Sequence, residues 1–277
     1  MRRAGGGRRR GAAALRRHLM ACIARAAAVT SRRPTAAAAI AAGLLVAGAN
    51  AMVAESTGAR AERPRAAAPK IRQLVVFRDG SATSRTVSTR STRVSVEGRR
   101  CTAGDGTALA ALVRSRPGGL RLRDFGNCTT HPRDAGGLFV KSIRGDRNRA
   151  QDGWVYKVGR LAATAGAADP AGPLGRGRLR TGQRVTWFYC RLREGGCQRT
   201  LELKWRAEPG LLVATVRGYD DDARGVPADG VTVRAGGVSA VTDGNGEARL
   251  ALPSGSYRAV AEKPGLVRSF PERVEVP

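Results

Sequence analysis

The chain has 277 residues and a formal net charge of +27, with 36 Gly, 13 Pro and only 4% aromatic residues. So much turn chemistry and so few bulky side chains exclude one deep core and favour two small ones. The charge falls in blocks: Met1–Pro34 holds 10 Arg and no acid, Glu55–Trp205 holds 30 basic and 12 acidic residues, and Arg206–Pro277 holds 9 basic and 10 acidic.

Lys70, Lys141, Lys157, Lys204 and Lys263 are the only lysines among 49 basic residues. An arginine preference this uniform reads as compositional bias, so no specific nucleic-acid partner is expected. Between Arg33 and Glu55 there is no charge, and Ile40, Leu44, Leu45 and Val46 form an apolar centre behind Arg32 and Arg33. This is the layout of a secretory signal. Ala49-Asn50-Ala51 meets the small-x-small rule for cleavage, which would start the mature chain near Met52. The alternative is a retained anchor at the outer face of the cytoplasmic membrane. Against it, ten of the twenty residues Thr35–Ala54 are alanine, which adds little transfer energy. Met20 would be a more ordinary start than Met1, and Cys22 lacks the apolar setting of a lipidated cysteine. Residues 1–54 are therefore read as a signal peptide or signal anchor, and residues 55–70, rich in Ala, Pro and charge, as a linker.

Beyond this leader, Cys101, Cys128, Cys190 and Cys197 make an even set in a chain bound for an oxidising compartment, which points to disulfides. Three connectivities are open. The Glu194-Gly195-Gly196 turn favours Cys190 with Cys197 by bringing two flanking strands side by side, which leaves Cys101 with Cys128. A zinc site is opposed by the absence of a C-x-x-C pair and by a single histidine, His131, after the leader. No cofactor or metal is expected.

Residues 71–205 read as an α+β domain of antiparallel sheets with one short helix. Gln73–Phe77 reads as a strand, Asp79-Gly80 is a turn, and Thr92–Val96 is a further strand. Asp105-Gly106-Thr107 caps a helix with Ala108, Leu109, Ala111 and Leu112 at helical spacing, stopped by Pro117-Gly118-Gly119. Leu138–Ile143, Trp154–Val158 and Arg184–Tyr189 are strand-like. From Ile71 to Leu203 the order of these segments resembles the transcobalamin C-terminal-like family. The likeness rests on Gly106–Leu112, Phe139–Gly145, Gly153–Gly159 and Leu179–Trp187. It implies an extracellular α+β binding or adaptor module. The family's usual Asn-Gly after the aromatic strand is here Gly159-Arg160, and the helical partner domain of the cobalamin carriers is missing, so corrinoid binding is an analogy only.

Trp154 and Tyr156 share one strand face, as do Trp187 and Tyr189, and these four are the candidate ligand platform. The competing reading puts them in the core of a small sheet. Asn127-Cys128-Thr129 matches a glycosylation sequon with a disulfide cysteine at its centre.

Residues 211–277 read as an all-β sandwich of short alternating strands at regular spacing. Thr242-Asp243-Gly244-Asn245-Gly246 and Leu250–Tyr257 resemble the carboxypeptidase regulatory-like or transthyretin-like modules, which implies a seven-stranded sandwich without catalytic residues. Asp220, Asp221, Asp222, Asp243, Asn245 and Glu247 carry calcium-type oxygens but lack the spacing of an EF-hand loop.

No G-x-S-x-G elbow or phosphate-cradling loop occurs, and any triad would have to use His131 in a polar loop. The expectation is an exported, non-catalytic binding or adaptor protein of the cell envelope that faces an anionic envelope polymer or an envelope protein. A small-ligand, corrinoid-like carrier and a passive structural or adhesion module are the alternatives.

Overall fold

A computed structural model of the protein describes residues 67–126, 128 and 137–277. The leader, most of the linker, Asn127 and Thr129 of the sequon, and His131 lie outside the described residues. The described chain is β-rich, with a single short helix and several antiparallel sheets.

β1 (Lys70–Val76) turns at Asp79-Gly80 into β2 (Ala82–Ser88). There Gly80 sits at φ +84° and donates its N–H to Phe77 C=O at 3.0 Å. β3 (Thr92–Val96) and β4 (Arg99–Ala103) form a separate hairpin. α1 (Ala108–Ser115) starts where expected, with the Thr107 hydroxyl accepting from Ala110 N–H at 3.1 Å, and ends at Arg116 in a left-handed turn ahead of Pro117. β5 (Arg121–Asp124), β6 (Leu138–Ile143) and β7 (Asp146–Arg147) make a three-stranded sheet. β8 (Gly153–Val158), β9 (Leu161–Ala162) and β10 (Arg184–Cys190) join the first two strands in a five-stranded sheet of order β2-β1-β10-β8-β9.

One pairing departs from the antiparallel expectation: β1 runs parallel to β10, from Arg72↔Arg184 to Val76↔Phe188. Parallel neighbours need a long crossover. Here that crossover contains α1 and the two smaller sheets, packed on one face of the five-stranded sheet. Ile71, Val75, Leu109, Leu112, Leu138 and Trp187 meet there in the first core.

The remaining strands are β11 (Thr200–Glu208), β12 (Leu211–Tyr219), β13 (Gly225–Pro227), β14 (Thr232–Ala235), β15 (Val238–Val241), β16 (Glu247–Ala251), β17 (Gly255–Glu262) and β18 (Glu272–Val276). β12 bonds β11 along one edge and β13 and β16 along the other, and β15-β14-β17-β18 forms a second sheet. Leu203, Leu212 and Leu250 from one sheet meet Val233, Ala261 and Val274 from the other in a sandwich-like second core.

Ala207–Gly210, which falls between the ranges 71–205 and 211–277 read from the sequence, forms the tip of a hairpin. β11 pairs with β12 without a break from Thr200↔Tyr219 to Glu208↔Leu211. The drop in charge that marked Trp205 as a boundary reports surface composition, and Lys204, Trp205 and Arg206 are exposed residues of one continuous strand. The Glu194-Gly195-Gly196 turn likewise does not join paired strands. β10 and β11 lie in different sheets, and Cys197 sits in the loop where the chain passes from one lobe to the other.

The two lobes are packed together. Leu74, Val76 and Phe188 leave the face of the five-stranded sheet opposite the first core and meet Val267 and Phe270 from the β17–β18 connection. Glu272 accepts from both Arg72 and Arg184, at 3.0 and 2.5 Å, and both guanidinium groups lie over the Phe270 ring at 5.2 and 5.5 Å. Arg160 makes a bidentate pair with Glu202 at 2.6 and 2.7 Å and stacks on Tyr219. Truncation of the buried wedge in Phe270→Ala is expected to cost about 3 kcal/mol and to split one urea transition into two. Retention of a single unshifted transition would show that the lobes do not depend on this contact.

Candidate functional site

The four candidate platform residues lie together but inside the first core. Trp154, Tyr156, Trp187 and Tyr189 are all buried, none more than 8% exposed. Tyr156 stacks on Trp187 at 4.7 Å, and Trp154 meets Tyr189 edge-on at 5.9 Å. Three of the four polar tips are used internally: Trp154 Nε1–H donates to Asp146 C=O at 2.8 Å, Tyr189 O–H to Arg147 C=O at 2.8 Å, and Tyr156 O–H to Ala165 C=O at 3.0 Å. Burial pushes the Tyr156 phenol well above its ordinary pKa, reinforced by the Asp169 charge. This face of the sheet is therefore packed interior, because β3–β6 and α1 cover it.

The opposite face carries a buried cation that sequence reasoning missed. The Lys157 side chain is 1% exposed, and its ammonium donates to Tyr219 C=O at 3.1 Å and Asp220 C=O at 2.7 Å, with Asp221 Oδ1 at 3.2 Å. Desolvation lowers its pKa, opposed by the hydrogen bond and charge of Asp221. The other Asp221 oxygen accepts from Cys197 N–H at 3.0 Å. Asp221 thus ties together β8, the end of β12 and the disulfide loop. Lys157 falls between Tyr156 and Val158 in a strand with two aromatic residues among its six, and that placement of a lone Lys was the available signal. Among the described residues no group of three or more His, Cys, Asp or Glu suits a metal ion.

Cys101 is bonded to Cys128 and Cys190 to Cys197, with Cα separations of 5.3 and 5.2 Å. The first bridge fastens β4 to the segment after β5. Beside it Asp124 accepts from the N–H groups of Gly126 and Cys128, each at 2.9 Å, and pairs with Arg99 at 3.2 Å. Burial raises the Asp124 pKa, but these hydrogen bonds and the Arg99 charge together hold it below the ordinary carboxylate value.

The exposed aromatic surface lies elsewhere. Phe125 and Phe139 are 63% and 49% exposed and meet edge-on at 4.9 Å, with the Arg123 guanidinium 4.6 Å from the Phe125 ring. Arg123 and Phe139 are register partners across β5 and β6, and Arg121 and Lys141 are exposed on the same two strands. Alternation explains the face: Leu122, Leu138 and Val140 point into the core, so their neighbours point out. The sequence signal was the alternation of apolar residues with Arg, Phe and Lys along Leu120–Phe125 and Leu138–Lys141. No family model, curated protein or solved structure matches the chain.

Nonreducing peptide mapping is expected to recover the two cystine pairs above, and removal of Cys101–Cys128 to cost about 3 kcal/mol. Lys157→Met keeps the apolar stem but leaves the Asp221 carboxylate and the Tyr219 and Asp220 carbonyls without their donor, so it should lose about 3 kcal/mol, and Lys157→Ala, which also opens a cavity, should lose more. Between its lowered folded pKa and 10.5, the unfolded chain holds a proton that the folded chain has released. Wild type should therefore gain stability relative to Lys157→Met as pH rises through that window, measured by urea denaturation.

Proposed function

We propose that the protein is an exported, non-catalytic binding or adaptor module that presents its basic lobe to an anionic polymer of the cell envelope. The observation that carries this reading is the exposed cationic and aromatic face formed by Arg121, Arg123, Phe125, Phe139 and Lys141 on β5 and β6. Arginine and lysine attract polyanions at long range, while exposed rings add short-range contact that salt does not screen. Export is supported by the disulfide-bonded cysteines and by the charge-free segment behind Arg33. Among the described residues no helix is long and apolar enough to cross a membrane.

The finer architectural reading belongs to the same proposal. It is a transcobalamin C-terminal-like lobe followed by a carboxypeptidase regulatory-like or transthyretin-like sandwich, with β11 belonging to the second lobe. Support comes from the helix and aromatic strands of the first lobe and from the facing sheets of the second. A carrier using Trp154, Tyr156, Trp187 and Tyr189 as an open platform has less support, since these side chains are buried against one another.

Retention of the full chain on immobilised poly-L-glutamate should fall steeply between about 0.05 and 0.5 M salt. The triple variant Arg121→Glu, Arg123→Glu, Lys141→Glu should bind at least about tenfold more weakly at low salt, with a flatter salt dependence. Phe125→Ser with Phe139→Ser should weaken binding and leave the salt slope intact. Wild-type retention by the triple variant would overturn the assignment of this face.

A further inference from the structure

β8 has an open outer edge. Gly159 N–H donates to Arg184 C=O at 2.8 Å, which sets the alternation: Val155 and Lys157 turn their backbone groups to β10, while Trp154 and Tyr156 turn theirs away. Two of those four outward groups are occupied. Trp154 N–H donates to Asn148 Oδ1 at 3.0 Å, and Tyr156 C=O accepts from Ala163 N–H at 3.1 Å. Trp154 C=O and Tyr156 N–H have no partner among the described residues. The edge is open because β9 pairs only with Lys157 and Val158, after which the chain turns away, with Thr164 and Ala165 both donating to Pro173 C=O.

A cavity of about 330 Å³ runs along this edge. Its walls are Trp154–Lys157 on one side, Leu138 and Val140 of β6 on another, and the small residues Ala163, Ala165 and Gly166 on a third. Trp187 also lines it, and the buried Trp187 indole N–H has no acceptor among the described residues. Backbone and indole groups in so apolar a setting are normally paired. Two donors and one acceptor here await a partner.

We propose that this edge captures a short extended peptide segment that runs parallel to β8 and places one residue opposite Val155. An antiparallel residue would need both the N–H and C=O of Trp154, or both of Tyr156, and one group of each is already taken. In a parallel ladder a single residue donates to the C=O before its opposite number and accepts from the N–H after it. Trp154 C=O and Tyr156 N–H stand in that relation to Val155. The occupant's opposite residue shares the face of Val155 and Phe188 and is small and apolar. Its neighbours fall on the face of Tyr156 and Trp187, where a hydroxyl would supply the acceptor that the indole lacks. This surface is distinct from the cationic face on β5 and β6, and it stands or falls separately.

The probe is acetyl-Ala-Thr-Val-amide, which ends before the positions held by Ala163 and β9, titrated into the ¹⁵N-labelled full chain and followed by NMR. Binding is expected to shift the Tyr156 amide and the Trp187 indole N–H and to slow exchange of the Tyr156 amide about tenfold. N-methylation of the probe's valine, which removes the donor to Trp154 C=O, should weaken binding about tenfold. Ala165→Leu, which fills the cavity, should abolish binding. If that variant does not fold, the methylated probe still decides. An unshifted Tyr156 amide, equal binding of both probes, or a Tyr156 amide already fully protected without peptide would overturn the proposal.

Discussion

The architecture depends on burying both faces of one sheet. In β1 and β10 the runs Leu74–Val76 and Val185–Cys190 have no exposed position, so neither strand has a solvent face there. Strands buried on both sides read as continuous apolar runs and need a layer above and a layer below. α1 with the small β-sheets supplies one layer, and the Val267–Phe270 connection of the second lobe supplies the other. Without the second lobe, Leu74, Val76 and Phe188 would be in water. At about 25 cal/mol per Å² of apolar surface, such exposure is a large fraction of a small domain's stability.

Polar groups at the junction fix the docking geometry that apolar contact alone would leave loose. Glu272 is shared by two arginines that stack on one ring, and the Lys157 ammonium is held by two carbonyls and a carboxylate of the other lobe. Buried charges contribute little net stability over a well-packed apolar equivalent, but they tolerate few arrangements. The cationic face on β5 and β6 is thereby carried on a support whose lobes are held in one register.

The sequence displayed the local structure well. Continuous apolar runs located β1 and β10, alternation located β3, β6, β8 and most strands of the second lobe, and the Thr107 cap and Pro117 stop bounded α1. Long-range pairing was less legible. The parallel match of β1 with β10 spans more than a hundred residues, and no short-range pattern encodes it. The drop in charge after Trp205 tracks the exposed side of β11, while backbone hydrogen bonds carry β11 on into its hairpin with β12. For the aromatic strands, alternation correctly paired Trp154 with Tyr156 and Trp187 with Tyr189, but it cannot say whether a shared face is covered. The exposed Phe125 and Phe139 were passed over because Phe125 lies just past the four-residue β5, and the pattern that located β6 cannot say which of its faces is left uncovered.

The parallel placement of β1 also bears on how the protein would carry load. The chain enters its described fold at β1, which lies inside the sheet with β2 on one side and β10 on the other. A pull applied ahead of Lys70 acts along the strand axis. It therefore strains the seven residue pairs with β2 and the five with β10 together, rather than opening them one at a time from an end. Resistance to forced unfolding is a matter of rate, and a strand sheared between two neighbours must lose many bonds in one step. A tethered binding module held at that end would keep its grip on a partner under tension that would peel an edge strand away.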